Sequence, residues 1–515
     1  MVMTVLRELI NPINFLLMTG GVPIGIIFGA IPGLNATTAM ALFLPLTFAM
    51  DAPAAIAFMG GIYVGGCSGG LIASTLLNVP GSPSNIATCF DGYPMAKSGR
   101  ATRALGIGIF SSFLATIASL AVAALLTAPL AKVAVLLGPW EYFALCTAAI
   151  LLVITISKGE MFTGLISACM GIMLAMVGIA PVDGAKRFTF GLKQLLGGFP
   201  MLAIMLGVFA IAGLLESFSE GTVFNKELDT GKIKGVGIPL KEYFSYWRLI
   251  IKSFFIGLWI GFLPGMGGGL SNIVSYAMAK SSSKTPEKFG TGCDEGIIAS
   301  EIANNASIGG AIIPTIALGI PGDTSCAILL SCLIIQGIQA GPMLLNTNTD
   351  LVYLFFMVLL VGNVITFLME LFGIRTFPYI LRVPIHYLYP AIFAMCLVGS
   401  YTDTFSESSI YFTAIMTLLG IFMLYGHASM SPFILGFILG PMMEEYMRQG
   451  MTYSDNGFLI FFQRPVSCVL LLIALASLIW PFIRDARAKR RMESGTMTDV
   501  EKAEAAASKF NVRDD

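Results

Sequence analysis

The sequence predicts an all-α integral membrane protein of roughly twelve transmembrane or re-entrant helical segments, arranged as two inverted-topology repeats whose helices are broken at Pro-Gly pairs. Three observations predict it. The first is composition: of 515 residues, 56% are hydrophobic and 12% charged, with a mean hydropathy of +0.82, so the polar surface of a soluble protein this size is missing. The second is a glycine ladder that occurs twice. The third is the sign of the charge in equivalent loops.

Apolar runs such as Ala104 to Leu130, Leu351 to Gly373 and Val466 to Phe482 are long enough to cross a hydrocarbon core. The ladders run Gly21, Gly25, Gly29, Gly33 and Gly257, Gly261, Gly265, Gly269. Glycine at every fourth position of an apolar helix gives a smooth stripe on which another backbone can approach closely. Each ladder contains one helix break, Pro32-Gly33 and Pro264-Gly265. Apolar helices broken at matching places in two halves of a chain point to a transporter.

The repetition continues downstream. Gly69-Gly70-Leu71 through Pro80-Gly81-Ser82 matches Gly309-Gly310-Ala311 through Pro321-Gly322-Asp323, so each half has a second Gly-Gly helix and a second Pro-Gly break. The loop Met50 to Ala54 has no Lys or Arg, whereas Lys97, Arg100 and Arg103 follow the second break. The other half reverses this: Lys280, Lys284 and Lys288 follow the ladder helices, and Ala340 to Asp350 has no basic residue. By the positive-inside bias, equivalent loops then lie on opposite faces.

The basic tail, Arg484 to Arg491, places the C-terminus in the cytoplasm, with Arg375 and Arg382 and the polar stretch Asn225 to Arg248 on the same side. With that stretch and the Lys280 to Lys288 loop both inside, Leu249 to Ala279 must re-enter or cross twice, and Pro12 to Met50 is its counterpart. One loop disagrees, since Asp183 to Lys193 carries three basic residues yet counts as outside. The expected divisions are 11–130 for the first repeat, 131–247 for connecting helices and a cytoplasmic loop, 248–373 for the second repeat, 374–483 for C-terminal helices and 484–515 for a cytoplasmic tail. No removable signal peptide is expected from Met1 to Ile10. The nine cysteines lack CxxC spacing and read as small buried hydrophobes, and with only His386 and His427 a histidine-rich metal site is not expected.

Chemistry is expected where the helices break. A helix start offers unpaired N–H groups and the positive end of its dipole to a carboxylate, while carbonyls freed at a helix end can hold Na⁺. The candidate substrate-binding residues are Pro32, Gly33, Asn35, Thr37 and Thr38 at the first break, and Gly81, Ser82, Ser84 and Asn85 at the second. Gly265, Gly267, Gly268, Ser271 and Asn272 stand at the third, and Gly322, Thr324 and Ser325 at the fourth. All four could converge on one midplane site. Ionisable groups at membrane depth need a reason, so Asp323, Glu301, Asn304, Asn305 and Ser307 are the candidate cation-coupling residues, with Na⁺ or H⁺ as coupling ion and no other cofactor. The competing structural use is capping for the polar break residues and for Asp323, and packing for Gly21, Gly25, Gly257 and Gly261. Asp91, Asp294 and Glu295 read as loop residues.

The segments Ile31 to Ala39 and Asn304 to Gly310, the latter leading to Ile320-Pro321-Gly322-Asp323, resemble those of the large membrane subunit, TctA, of bacterial tripartite tricarboxylate transporters. The resemblance covers about Asn11 to Phe482. It implies a secondary carrier of the bacterial inner membrane that imports tri- or dicarboxylates by symport with a cation. It also implies two partners, a small membrane subunit and a periplasmic solute-binding protein.

Two other classes are open. A channel-like permease shares the architecture, and saturable, gradient-dependent uptake separates a carrier from it. Gly66-Cys67-Ser68-Gly69-Gly70 formally matches the nucleophile elbow of serine hydrolases, but it lies in an apolar helical run where a strand-turn-helix is needed, so an enzyme is not expected. No Gly-x4-Gly-Lys-Ser/Thr loop for ATP is present, which leaves an ion gradient or another subunit as the energy source.

Overall fold

Caps and prolines set where the helices start and stop. In the computed structural model, which describes residues 2–31, 34–80, 82–156, 161–180, 182–219, 240–373, 385–426, 428–454 and 457–493, a short α1 (Val2–Ile10) precedes α2 (Pro12–Ala30). Asn11 caps α2 by accepting from the Ile13 amide, and Pro12 takes the first position, where no N–H is needed. Asn35 caps α3 (Ala36–Phe43), and Asp51 caps α4 (Ala52–Leu77), which ends on Asn78 in the left-handed conformation, φ 57°. Next come α5 (Ile86–Met95) and the long α6 (Ala101–Val135).

Between them and the second ladder lie α7 (Pro139–Ile156), α8 (Met161–Ala175), α9 (Met201–Ile204), α10 (Ala212–Ser219) and α11 (Leu240–Tyr243). The second ladder forms α12 (Trp247–Phe262), a break, and α13 (Gly267–Ser282). Then α14 (Asp294–Leu318) ends on left-handed Gly319, φ 73°, and α15 (Thr324–Ile335) starts from the Asp323 cap. The chain continues through α16 (Leu344–Thr347), α17 (Thr349–Gly373), α18 (Ile385–Thr404) and α19 (Glu407–Tyr425) to α20 (Met430–Thr452), α21 (Ile460–Gln463) and α22 (Pro465–Glu493).

Among the described residues, five helical stretches are long and apolar enough to cross a membrane: Pro12–Ala30, Ala52–Leu77, Pro83–Val135, Thr349–Gly373 and Glu407–Tyr425. A sixth is added if Gly457–Gln463 and Pro465–Ile479, bent by 90°, count as one span, and shorter apolar helices accompany them. This is a helical, multi-pass membrane architecture. The all-α expectation holds, with one short strand pair added. Gly178–Ile179 and Lys186–Arg187 form a two-residue antiparallel pair in the loop whose charge disagreed with the rest, because Gly178 and Gly184 at positive φ let the chain fold back on itself.

The chain divides into two compact units. The first comprises Met1–Leu136, Met176–Ala180 and Gly184–His427; the second comprises Leu137–Ala175, Pro181–Asp183 and Ala428–Asp515. In the second, α8 and α20 mesh through Gly171 and Gly436, which face the carbonyls of Phe433 and Ala168. Trp140 of α7 ties down the end of α20 by donating to the Gly450 carbonyl at 3.0 Å.

In the first unit the ladders are packing surfaces, as read from the sequence for Gly21, Gly25, Gly257 and Gly261. A β-carbon at Gly21, Gly25 or Gly29 would collide with the carbonyls of Phe58, Ile62 or Gly66, and one at Gly61, Gly65 or Gly69 with those of Met18, Val22 or Ile26. Because the contacts advance together along both chains, α2 and α4 run parallel. Helix α3 returns antiparallel, with Ala36 against Gly66 and Phe43 against Phe58. Helices α2 and α3 therefore form a helical hairpin packed on α4. The same arrangement is formed by α12, α13 and α14: Gly257 and Gly261 face the carbonyls of Ala303 and Ser307, Gly310 faces that of Leu258, and α13 returns with Ser271 on Ala303 and Ser275 on Ala299. The counterpart of Gly69 is thus Gly310, one residue later than the sequence match of Gly69 to Gly309.

Two long helices cross between these assemblies. Helix α6 lies parallel to α14, with Thr116 on Asn305 and Ser119 on Gly309. Helix α17 lies parallel to α4, with Val358 against Gly60 and Glu370 against Ser68. Helix α5 runs antiparallel to α14, with Asn85 at Glu301, Asp91 at Gly296 and Met95 at Gly292. Asp91 is consequently a helical, fully buried residue, which corrects its reading as a loop group. One of its oxygens accepts from the amides of Gly290, Gly292 and Cys293 and the other from the Tyr276 hydroxyl, clamping the lead-in to α14. Asp294 and Glu295 open the first turn of α14, where an acidic side chain meets the positive end of the dipole.

Candidate functional site

Pro32, Gly33 and Gly81 lie outside the described residues, as do His427, Arg375, Arg382, residues 225–239 and the tail from 494. The other break residues come together in the first unit. At the first break the Asn35 side chain accepts from the Thr38 amide at 2.8 Å and the Thr38 hydroxyl at 3.2 Å, which is a helix cap. Thr37, one turn in, reaches the fourth break: its hydroxyl lies 3.2 Å from that of Thr324 and 2.9 Å from that of Ser325. At the fourth break Asp323 accepts from the Cys326 amide at 2.6 Å with one oxygen and from the Tyr63 hydroxyl at 3.3 Å with the other. Gly322 donates its amide to the Thr315 hydroxyl at 3.2 Å.

The third break touches both neighbours. The Gly265 amide donates to the Gly322 carbonyl at 2.7 Å, and Gly265 and Gly267 hold positive φ of 75° and 49°. A β-carbon at Gly267 would press on Asp323, and one at Gly268 would collide with the Asn304 side-chain oxygen and Ser84. Ser271 anchors α13 by donating to the carbonyls of Gly268 and Ala303, both at 3.1 Å. Asn272 donates to the Pro83 carbonyl at 3.1 Å, which joins the third break to the second. There Ser82 bonds to Ser84 at 2.7 Å and to Asn85 at 2.8 Å.

Behind the second and third breaks lies a buried polar network centred on Glu301. One carboxylate oxygen accepts from Thr88 at 2.5 Å and Asn85 at 3.2 Å, the other from Ser112 at 3.0 Å and Asn305 at 3.4 Å. Thr116 donates to the Asn305 side-chain oxygen at 3.3 Å, and Ser307 folds back onto the Asn304 carbonyl at 2.6 Å. The side-chain nitrogen of Asn304, itself 2% exposed, makes no hydrogen bond. The four breaks are therefore contiguous, but the cation candidates separate into two groups: Asp323 bonds with Tyr63 and Cys326, and Glu301 and Asn305 form their own network. Tyr63, Thr88, Ser112 and Thr116 were not singled out from the sequence. A signal for Ser112, Thr116 and Ser119 existed in their four- and three-residue spacing, a polar stripe along an otherwise apolar helix. None marked Tyr63.

Ser68 of the elbow-like motif sits inside α4, where its hydroxyl donates to Glu370, so the strand-turn-helix that a hydrolase needs is not formed there.

The sequence profile described as the tripartite tricarboxylate transporter TctA family matches residues 15–435. The chain is 31% identical over 481 residues to the uncharacterized 52.8 kDa protein in the TAR-I ttuC' 3'region of Agrobacterium vitis, a match covering 93% of this chain and 95% of that protein. It is also 31% identical over 234 residues to the uncharacterized protein in the TAR-II ttuC' 3'region of the same organism, covering 45% of this chain and 97% of that one. No solved structure matches.

Proposed function

From the membership of this chain in the tripartite tricarboxylate transporter TctA family, we propose that it is the carrier subunit that imports a tri- or dicarboxylate by symport with Na⁺ or H⁺. A periplasmic solute-binding protein delivers the substrate and a small membrane subunit completes the complex, in a bacterial inner membrane with the C-terminus of this chain in the cytoplasm. Its roughly twelve membrane-embedded segments include two inverted halves. Matching hairpins at α2–α3 and α12–α13 and matching left-handed caps at Asn78 and Gly319 support the repeat, and the inversion is supported by α5, which runs alongside α4 in the same direction (Asn85 at Gly70, Gly92 at Thr75) but antiparallel to α14, the counterpart of α4.

The observation that carries this reading is the meeting of the four breaks, through Thr37 with Ser325, Gly265 with Gly322 and Asn272 with Pro83. Helix starts pointed at one place concentrate N–H donors where an anion is favoured. Asn35, Ser271 and Asn272 are occupied in capping and anchoring, so the donors left for substrate are first-turn amides of α3 and α13 and the Asn304 side-chain nitrogen. In this reading the cation binds beside Asp323, the carboxylate at the fourth break.

Asn304→Ala tests this. A hydrogen bond to a charged acceptor contributes about 1.5–3 kcal/mol, so the apparent affinity for carboxylate should fall about tenfold to a hundredfold. The amount of folded protein should change far less, since that nitrogen makes no hydrogen bond of ordinary length. Uptake in membrane vesicles, with the partner subunits present, should be saturable and gradient-dependent in the parent protein. Flux that rises linearly with substrate would identify a channel, and parental affinity in the variant would move the anion elsewhere.

A further inference from the structure

Glu370 is an acidic side chain inside the apolar helix α17, and the transport site described above does not use it. It is 1% exposed. One carboxyl oxygen accepts from the Ser68 hydroxyl of α4 at 2.8 Å, and the other has no hydrogen-bond partner. Glu301, equally buried, receives four side-chain donors. The two carboxyl groups thus sit in opposite surroundings within one bundle.

Among the described residues, the elements packed on α17 bring no cation to Glu370. Helices α2 and α4 and the short α16 contain no Lys, Arg or His. In α6 the basic residues are Arg103 and Lys132, near its two ends, and Arg103 is paired with Glu242 and Asp294. Arg7 and Glu8 of α1 belong to the far end of α17, where Glu8 shares a hollow with Asp350 and Leu354. The charged group that acts on Glu370 is Glu301, from α14. Beside Glu370, Met369, Phe367 and Ile365 pack against an apolar cluster that includes Leu71 and Leu105. An ionised carboxylate with one bare oxygen in such a place costs several kcal/mol, whereas the neutral acid does not carry that penalty.

We propose that Glu370 and Ser68 form a proton-carrying site, separate from the helix breaks and alternating between two states during transport. In one the carboxyl holds a proton taken from water on one side of the membrane. In the other it has released that proton to water on the opposite side and its charge is stabilised by the Ser68 hydroxyl. No other bond forms or breaks, and nothing is oxidised or reduced. This inference rests on the carrier reading and selects H⁺ as a coupling ion.

Infrared spectroscopy of the full-length protein in lipid tests it without requiring transport. The parent should show a carboxylic-acid C=O band that is absent in Glu370→Gln and that disappears as pH is raised through the range where uptake operates. Ser68→Ala, which removes the donor without removing the acid, should keep the band and shift its disappearance to higher pH. In vesicles, the stimulation of uptake by an inward proton gradient should be lost in Glu370→Gln. A spectrum unchanged by Glu370→Gln, a band insensitive to pH, or full proton-gradient stimulation in that variant would each overturn the proposal. Non-saturable flux in the parent would instead refute the carrier reading, and the band would still report the state of Glu370.

Discussion

Gly65→Leu should remove most of the folded protein from the membrane, while Gly20→Leu should leave it in place. Both glycines belong to the closely packed α2–α4 region and both changes add the same apolar side chain. They differ in what the side chain meets. At Gly65 the first added carbon already collides with the Val22 carbonyl and approaches the Ile26 amide to 3.2 Å, whereas nothing lies within 4 Å of the same position at Gly20. In a membrane the association of helices rests on close packing, because lipid is as apolar as the side chains it would replace. Overpacking a core ordinarily costs about 1–3 kcal/mol, and the whole α2–α4 interface, made backbone to backbone, would have to part here. The check is the yield and thermal stability of detergent-extracted protein. Equal yields from the two variants would mean that the ladder does not hold these helices together.

Much of this arrangement was legible in the sequence because glycine periodicity and Pro-Gly pairs act through the backbone, and the backbone is what the helices use to meet. Gly25 and Gly257 found carbonyls, as a small-residue stripe implies. The fold-back of Pro12 to Met50 on itself is in keeping with the loop charge, which calls for either re-entry or two crossings there. What stayed hidden depends on distant parts of the chain. Tyr63 meets Asp323 only because α4 passes the start of α15, and no local pattern encodes that. Asp91 reads as a loop residue near a Gly-Tyr-Pro stretch, yet its burial is fixed by amides some 200 positions away. The two-residue β pair arises from backbone folding at glycines in a polar loop, where side-chain periodicity carries no signal. Glu370 is not among the acids the sequence reading names, because its single donor, Ser68, and its bare second oxygen follow only from how α17 lies on α4.

Asp323→Asn should raise the cation concentration for half-maximal uptake about tenfold, which corresponds to about 1.4 kcal/mol of lost cation binding. The amide can still cap α15, since its oxygen can accept from the Cys326 amide as the carboxylate does at 2.6 Å. The Tyr63 hydroxyl, which now donates to Asp323 at 3.3 Å, can rotate to accept from the new amide group. Capping and fold are therefore kept while the negative charge is removed, and the amount of folded protein should change far less than the cation dependence. The measurement is uptake as a function of external Na⁺ and, separately, of pH. Unchanged dependence on both would assign Asp323 to capping alone and direct the cation to the network of Glu301 and Asn305.

In the proposed carrier, two oppositely oriented halves bring their broken helices to one site. This arrangement is tested most directly by labelling single cysteines, introduced at Ala52 and Ser282 on a cysteine-depleted background, with a membrane-impermeant thiol reagent. Ala52 opens α4 after the first hairpin, and Ser282 closes α13 at the end of the second, so they mark equivalent ends of the two hairpins. Ala52→Cys should label from the periplasm in intact cells, and Ser282→Cys only after the cytoplasmic face is opened. Labelling of both from the same face would contradict this arrangement.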